Sequence, residues 1–402
     1  MRRAVFGQAT GPRALVLLNG FAALLTVSGR ASAANCSDLP NRVYLAAPDT
    51  QEKTIKTLAR QLRDSSTKPL TLVYQTSSAP CSNVALIADG TPATTAFNFV
   101  PSTADDPSWT PAQASISCAP DAGGNKFDLV ATDLFLATCR SSALPATLTV
   151  TKGPVRPYVF ATSLASEQRA ITAEQAYFVF GFPNGGQASP WVDEANLFIR
   201  SPTNSILRAL AANIRVPENL WRGISLNSSN AVVAALSGAS NPQTALGVLD
   251  AFTYDANRTT LRALAFRAWQ QRHAYYPDST FAKNDRQNVR DGHYLLWSQG
   301  SYIAVSAQAN AVYVANLLAG ASVSPAPDFE PLDAVATSGS IPDCAMTVSR
   351  SVEGGNLSTY TPAASCACYY ENWVSGASSC QACSGASPCA SGSCRRGLCE
   401  VK

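Results

Sequence analysis

Two rhythms of apolar and polar positions alternate along the chain. "RVYLAAP" (42–48) is a short, nearly continuous apolar run, and a run of that length predicts a buried strand. Directly after it, "QEKTIKTLARQL" (51–62) sets Ile55, Leu58 and Leu62 at three- and four-residue intervals, which predicts a helix with one apolar face. The alternation recurs. "PLTLVYQ" (69–75), "NKFDLVAT" (125–132) and "NLFIR" (196–200) predict three more strands, and "ALGVLDAFTYD" (245–255) predicts another. "ITAEQAYFVFGFPNGG" (171–186) carries a helix start and then an apolar stretch. "RTTLRALAFRAWQQRHAYYP" (258–277) reads as an amphipathic helix through Leu261, Leu264, Ala265 and Trp269. "AVYVANLLAG" (311–320) would close the first unit. Strands alternating with helices predict an α/β fold with mainly parallel sheets.

In such sheets ligands sit beyond the carboxyl ends of the strands. Here those ends carry Thr50, then Thr76-Ser77-Ser78, then Thr132-Asp133, and finally Arg200. The last is the richest. "FIRSPTNSILRAL" (198–210) runs from a strand into a helical pattern, with Arg200, Ser201, Thr203, Asn204 and Ser205 at the junction. A helix start offers N–H groups and partial positive charge, and an arginine adds a forked full charge, so the junction suits an anion. The plainer reading is a Thr203 or Asn204 cap beside a solvated Arg200.

The chain has 402 residues, 46% of them hydrophobic and 14% charged, with a net charge of +3. That is more chain than one core usually serves, and without a basic run it gives no footprint for nucleic acid. Arg2, Arg3 and Arg13 precede an apolar run from Ala14 to Leu25, followed by Ala31-Ser32-Ala33. This predicts a secretory signal over 1–34 and a periplasmic or extracellular mature chain with no membrane span. Twelve cysteines fit an oxidising compartment. Cys36, Cys81, Cys118 and Cys139 lie early, and Cys118 and Cys139 could bridge locally across the third strand. The other eight fall between Cys344 and Cys399, in a tail without histidine, where disulfides outweigh a cysteine-only zinc site. Body and tail are separated by a stretch rich in Ser, Pro and Ala (321–343), which reads as a linker. His273 and His293 are the only histidines, and neither a Gly-x-Ser-x-Gly elbow nor a His-Glu-x-x-His helix occurs. The chain is therefore expected to be no enzyme, with no catalytic residue, metal or cofactor.

The succession "VYLAAPDTQEKTIKTLARQL", "FDLVATD", "ITAEQAYFVFG", "PWVD" (190–193), "FIRSPTNSILRAL", "ALGVLDAFTYD" and "NVRDGHYLLWS" (288–298) resembles the type II periplasmic binding-protein fold. More specifically, it is similar to the phosphate-binding components of ABC transporters, over about Val43 to Asn310. The resemblance implies a two-lobed α/β protein with a hinge, lobe 1 over 35–153 and 256–320, and lobe 2 over 154–255. "VTKGPVRPYVFATS" (150–163) would be the crossover, and a disulfide-rich module (344–402) would follow the linker. The implied function is clamping a phosphate-like oxyanion or other small solute, with an ABC permease as partner. Carried over by position, the ligand contacts would be Thr50, Ser77, Ser78, Thr132, Asp133, Arg200, Thr203, Asn204 and Ser205. Asp133 beside an anion would favour one that carries a proton. Pro48-Asp49 stands where the family has Gly-Ser, and Asn204-Ser205-Ile206 where it has Ser-Gly-Thr. Those departures support a second reading: an extracellular interaction or scaffold protein with a degenerate cleft and a Cys-rich docking tail.

Overall fold

In the computed structural model, residues 35–376, 379–392 and 394–400 are described, and the expected signal segment lies outside them. Up to residue 305 the strands are β1 (Arg42–Pro48), β2 (Thr71–Ser77), β3 (Phe97–Phe99), β4 (Ile116–Cys118), β5 (Leu129–Thr132), β6 (Leu148–Ser163), β7 (Ala170–Thr172), β8 (Leu197–Ile199), β9 (Ile224–Ser225), β10 (Leu246–Asp250), β11 (Leu261–Ala263), β12 (Ala265–Arg267) and β13 (Trp297–Val305). β1 is buried from Val43 to Pro48, as a continuous apolar run demands. The helix Glu52–Asp64 follows one turn later and buries Ile55, Leu58 and Leu62.

The strands join in the order β4-β3-β2-β1-β5-β13-β6-β10-β8-β9, with β11 also beside β6. β1 lies parallel to β2 and β5, and β13 runs antiparallel between β5 and β6. β6 belongs to both lobes. Its first half pairs with β13, from Leu148 opposite Val305 to Pro157 opposite Trp297. Its second half pairs with β10, from Tyr158 opposite Asp250 to Ala161 opposite Gly247. The chain thus crosses to the second lobe on β6 and returns on β13, the arrangement of a two-lobed α/β protein with its hinge in the crossover strands. Both sheet faces are covered in each lobe. Ile55, Leu58, Val314 and Leu317 pack on one face of the first, and Val84 and Ile87 on the other. In the second, Val179, Ile206 and Leu210 oppose Val232 and Leu236 across the sheet.

Residues 258–277 do not form the expected helix. Beyond Pro157, β13 no longer covers β6, and Leu261–Ala263 pairs antiparallel with Ser163–Ala161 on that edge. Leu261 and Ala263 are buried while Arg262 is partly exposed, so the stretch works as period two. Unmet backbone groups on a strand edge outweighed a local helical pattern. The stretch 245–255 divides: β10 ends at Asp250, whose carboxylate accepts from Thr253 N at 2.8 Å and starts the helix Ala251–Asp255. Cys118 and Cys139 do not bridge each other; the pairs are Cys36–Cys118 and Cys81–Cys139.

The eight tail cysteines pair among themselves, as Cys344–Cys366, Cys368–Cys380, Cys383–Cys394 and Cys389–Cys399. Yet the tail does not stand apart, and the Ser/Pro/Ala stretch is not a loose linker. Pro331–Thr337 is a helix that buries Leu332, Ala334 and Val335, with Pro331 in its first turn and the Glu330 carboxylate accepting from Leu332 N at 3.0 Å. Its small and proline-rich composition looked like a linker, but alanine is also the best helix former. Val155 of β6 and Ile341 exchange two backbone hydrogen bonds, at 2.8 and 2.9 Å. Gln299 of β13 donates to Asp343 Oδ1 at 2.6 Å, and Glu353 Oε1 accepts from Phe135 N and Ser298 Oγ. Residues 341–353 therefore lie across both crossover strands. Cys366 and Tyr370 sit in the same core as the second lobe.

Candidate functional site

Proline fixes φ and offers no donor, so β1 stops at Pro48. The next turn, Asp49–Gln51, presents Thr50, whose hydroxyl donates to Asp133 Oδ2 at 2.5 Å. Asp133 stands just past the end of β5, where Thr132 Oγ1 accepts from Leu134 N at 3.1 Å and turns the chain. From the second lobe, Asn204 caps the helix Ser205–Ile214 by accepting from Ile206 N at 3.0 Å. That cap leaves the Ser205 hydroxyl to donate to the same Asp133 Oδ2 at 2.8 Å. Donors from opposite lobes thus meet on one carboxylate oxygen.

Asp133 is 0% exposed. Burial raises its pKa; the positive charge of Arg156 and the bonds from Thr50 and Ser205 pull the other way. Its second oxygen, Oδ1, has no hydrogen-bond partner. Around it, Tyr158 Oη donates to the Asp133 carbonyl at 3.3 Å, and Gln51 Nε2 donates to the Thr132 carbonyl at 3.2 Å.

Beside this buried cluster an open cleft of about 540 Å³ separates the lobes, lined among others by Asp49, Thr50, Lys53, Arg200, Ser229 and Asp250. Arg200 is 3% exposed, and each of its three nitrogens donates once. It donates from Nε to Leu226 O at 3.1 Å, from Nη1 to Ser229 Oγ at 3.0 Å and from Nη2 to Asn227 O at 3.0 Å. Asp49 lies 3.9 Å from it. Burial lowers the Arg200 pKa and raises that of Asp49, and each charge offsets the other's shift.

Thr50, Asp133 and Ser205 therefore come together, with Asn204 and Thr132 holding the turns that present them. Arg200 shares only the cleft with Thr50, and the other expected contacts do not converge with them. Ser77 Oγ accepts from Ala79 N at 3.1 Å, Ser78 is exposed, and neither lines the cleft. Thr203 is exposed and bonded to Ser201 at 3.2 Å. The sequence reading missed Arg156, Gln51 and Tyr158. For Arg156 a signal existed: a full charge in the middle of the apolar run "VRPYVF". In the tail, the sulfurs of Cys383, Cys389 and Cys399 lie within 4.8 Å of one another, but all three are in disulfides and none is a thiolate ligand.

No protein-family model matches the sequence, and no curated protein matches it. Among solved structures, the chain is similar to an ABC-type phosphate transport receptor from Vibrio cholerae, at 14% identity and a TM-score of 0.48. That match covers 74% of this chain and 99% of the receptor. It is similar to PstS from Borrelia burgdorferi at 12% identity and a TM-score of 0.42, over 75% and 98% of the two chains. It is also similar to the OxyR regulatory domain from Pseudomonas aeruginosa, at 8% identity and a TM-score of 0.37, over 68% and 94%.

Proposed function

We propose that the protein is an exported, non-enzymatic solute-binding protein that holds a phosphate-like oxyanion between its lobes. The observation that carries this is the meeting of Thr50 and Ser205, one from each lobe, on the buried Asp133. Hydroxyl donors beside a carboxyl group, away from bulk water, suit an anion that accepts from the hydroxyls and gives its own proton to the carboxylate. Bringing such a ligand in draws on donors of both lobes, which is how a hinge closes on a solute. Six disulfides fit an oxidising compartment. Among the described residues no helix is long and apolar enough to cross a membrane. An ABC permease would be the membrane partner.

A second reading, a scaffold with a degenerate cleft, draws on a different observation. Residues 341–353 are laid across β6 and β13, the strands that a hinge motion must twist. Thermal unfolding with and without inorganic phosphate, arsenate, sulfate and small carboxylates separates the two. A ligand that binds only the folded state at 100 times its Kd stabilises it by about 2.7 kcal/mol. A rise with phosphate is expected. Unchanged melting with every anion would leave the scaffold reading.

A further inference from the structure

We propose that Arg156, on the crossover strand β6, supplies the charged contact to the oxyanion, the place that the order of motifs gives to Arg200. The proposal rests on the solute-binding reading above. Arg156 is 4% exposed, and its Nε and Nη2 have no hydrogen-bond partner. Among the described residues no carboxylate lies within ion-pair distance of it. Leaving a buried guanidinium with unmet donors is costly, and native interiors rarely do so without a role.

Which donors are unmet is informative. Nε and Nη2 form one edge of the guanidinium plane, the edge whose two parallel N–H bonds match two oxygens of a tetrahedral anion. The nearby acceptor is equally incomplete: Asp133 is fully buried, and its Oδ1 lacks a partner. Arg156 is the foremost positive charge acting on Asp133, yet the two are not bonded to each other. A two-donor edge and an unmet carboxylate oxygen in one buried neighbourhood are complementary to a proton-bearing tetrahedral oxyanion. Two of its oxygens accept from Arg156, its P–OH or As–OH donates to Asp133, and others accept from Thr50 and Ser205 as those hydroxyls turn from Asp133 Oδ2 to the ligand. Sulfate, without that proton near neutral pH, would leave two acceptors opposed. Arg200 does not offer the same free edge, because its Nε donates to Leu226 O and its Nη2 to Asn227 O.

The position is also suited mechanically. Arg156 stands opposite Ser298 of β13, one residue before the register of β6 passes from the first lobe to the second. A ligand held there is held by the hinge itself.

The test is calorimetric titration of the full mature chain with inorganic phosphate and with sulfate at neutral pH, on the wild type, Arg156→Gln and Arg156→Lys. Each unliganded protein is also melted. The wild type is expected to bind phosphate in preference to sulfate. Arg156→Gln should lose ten- to hundredfold in phosphate affinity with its unliganded melting temperature kept or raised, because an unmet charge has been removed. Arg156→Lys keeps the charge without the fork and should lose about tenfold, which decides the matter should the glutamine variant fail to fold. Wild-type binding with both variants binding equally well overturns the role of Arg156 and leaves the solute-binding reading standing. A fall in unliganded stability with unchanged affinity does the same. No phosphate binding by the wild type overturns both, and equal sulfate binding overturns the proton-bearing ligand class.

Discussion

Arg200 and Arg156 are both buried arginines, one just past the end of β8 in the second lobe and the other on the crossover strand β6, and they differ in what their nitrogens meet. Arg200 fastens the loop 226–229 to the end of β8 through two carbonyls and a hydroxyl. Arg156, inside β6, keeps two adjacent donors unmet beside a carboxyl group that is itself half satisfied. A position at a strand-to-helix junction makes an arginine look like an anion ligand. Its function is decided by whether neighbouring carbonyls take up its donors first. By that criterion the junction arginine is structural and the crossover arginine is available.

The largest effect that would break this contrast is on stability. Arg200→Ala leaves the Leu226 and Asn227 carbonyls and Ser229 without their donor, and leaves Asp49 without its countercharge. It should lower the unfolding free energy of the ligand-free protein by about 2–3 kcal/mol, measured by urea denaturation. Phosphate affinity of the folded variant should stay within about threefold. A hundredfold loss of affinity with unchanged ligand-free stability would transfer the anion contact from Arg156 to Arg200.

The fold was readable where local pattern and tertiary demand agree. β1 and the helix Glu52–Asp64 lie where the apolar spacing places them, and the helix Ala173–Gly181 begins where 171–186 showed a helix start. It was not readable where an edge elsewhere decided. Residues 261–263 became a strand because β6 outruns β13, a fact no local window contains. Likewise 331–337 became a helix against the body despite its linker-like composition. The site divided in the same way. Thr50, Asp133 and Ser205 were visible as strand and helix ends. That Arg200's donors would be taken by carbonyls 26 and 27 residues away was not.

A smaller effect sharpens the Asp133 side of the contrast. Burial raises the folded pKa of Asp133 above the unfolded value of about 3.9. The folded state then holds a proton that the unfolded state has lost, so stability falls as pH rises from that value through the folded pKa. Asp133→Asn removes this contribution while keeping a similar shape. Its stability relative to wild type should rise with pH across that window, by at most about 1.4 kcal/mol per pH unit. Asp49, Asp128 and Asp255 are also raised by burial; the difference between the two proteins cancels Asp128 and Asp255, while Asp49, which Asp133 also raises, shifts with the substitution. The groups that act with Asp133 include Arg156, Asp49, Tyr158 and Tyr302; the two tyrosines have pKa values raised above their usual range and do not titrate in this window. Parallel pH profiles would mean that Asp133 ionises alike in both states, and burial in the ligand-free protein would then not be what sets its charge.

The smallest expected effect concerns the second strand end. Ser77 and Ser78 were placed at the anion by the same positional logic as Arg200, at the start of the helix Pro80–Asp89. Ser77 already accepts a bond from Ala79 N, Ser78 is exposed, and neither faces the cleft or touches Asp133. The exposed hydroxyl of Ser78 is solvated in the folded and unfolded chain alike, so removing it changes little in either. Ser78→Ala should therefore move stability by no more than about 0.5 kcal/mol and leave phosphate affinity within twofold. Because the expected change is near zero, the measurement is sensitive in one direction. A loss of one charged-acceptor hydrogen bond would appear as tenfold or more in calorimetric affinity. That result would mean that the ligand draws the second helix start inward on closing, and the buried cluster around Asp133 would then be only half of the site.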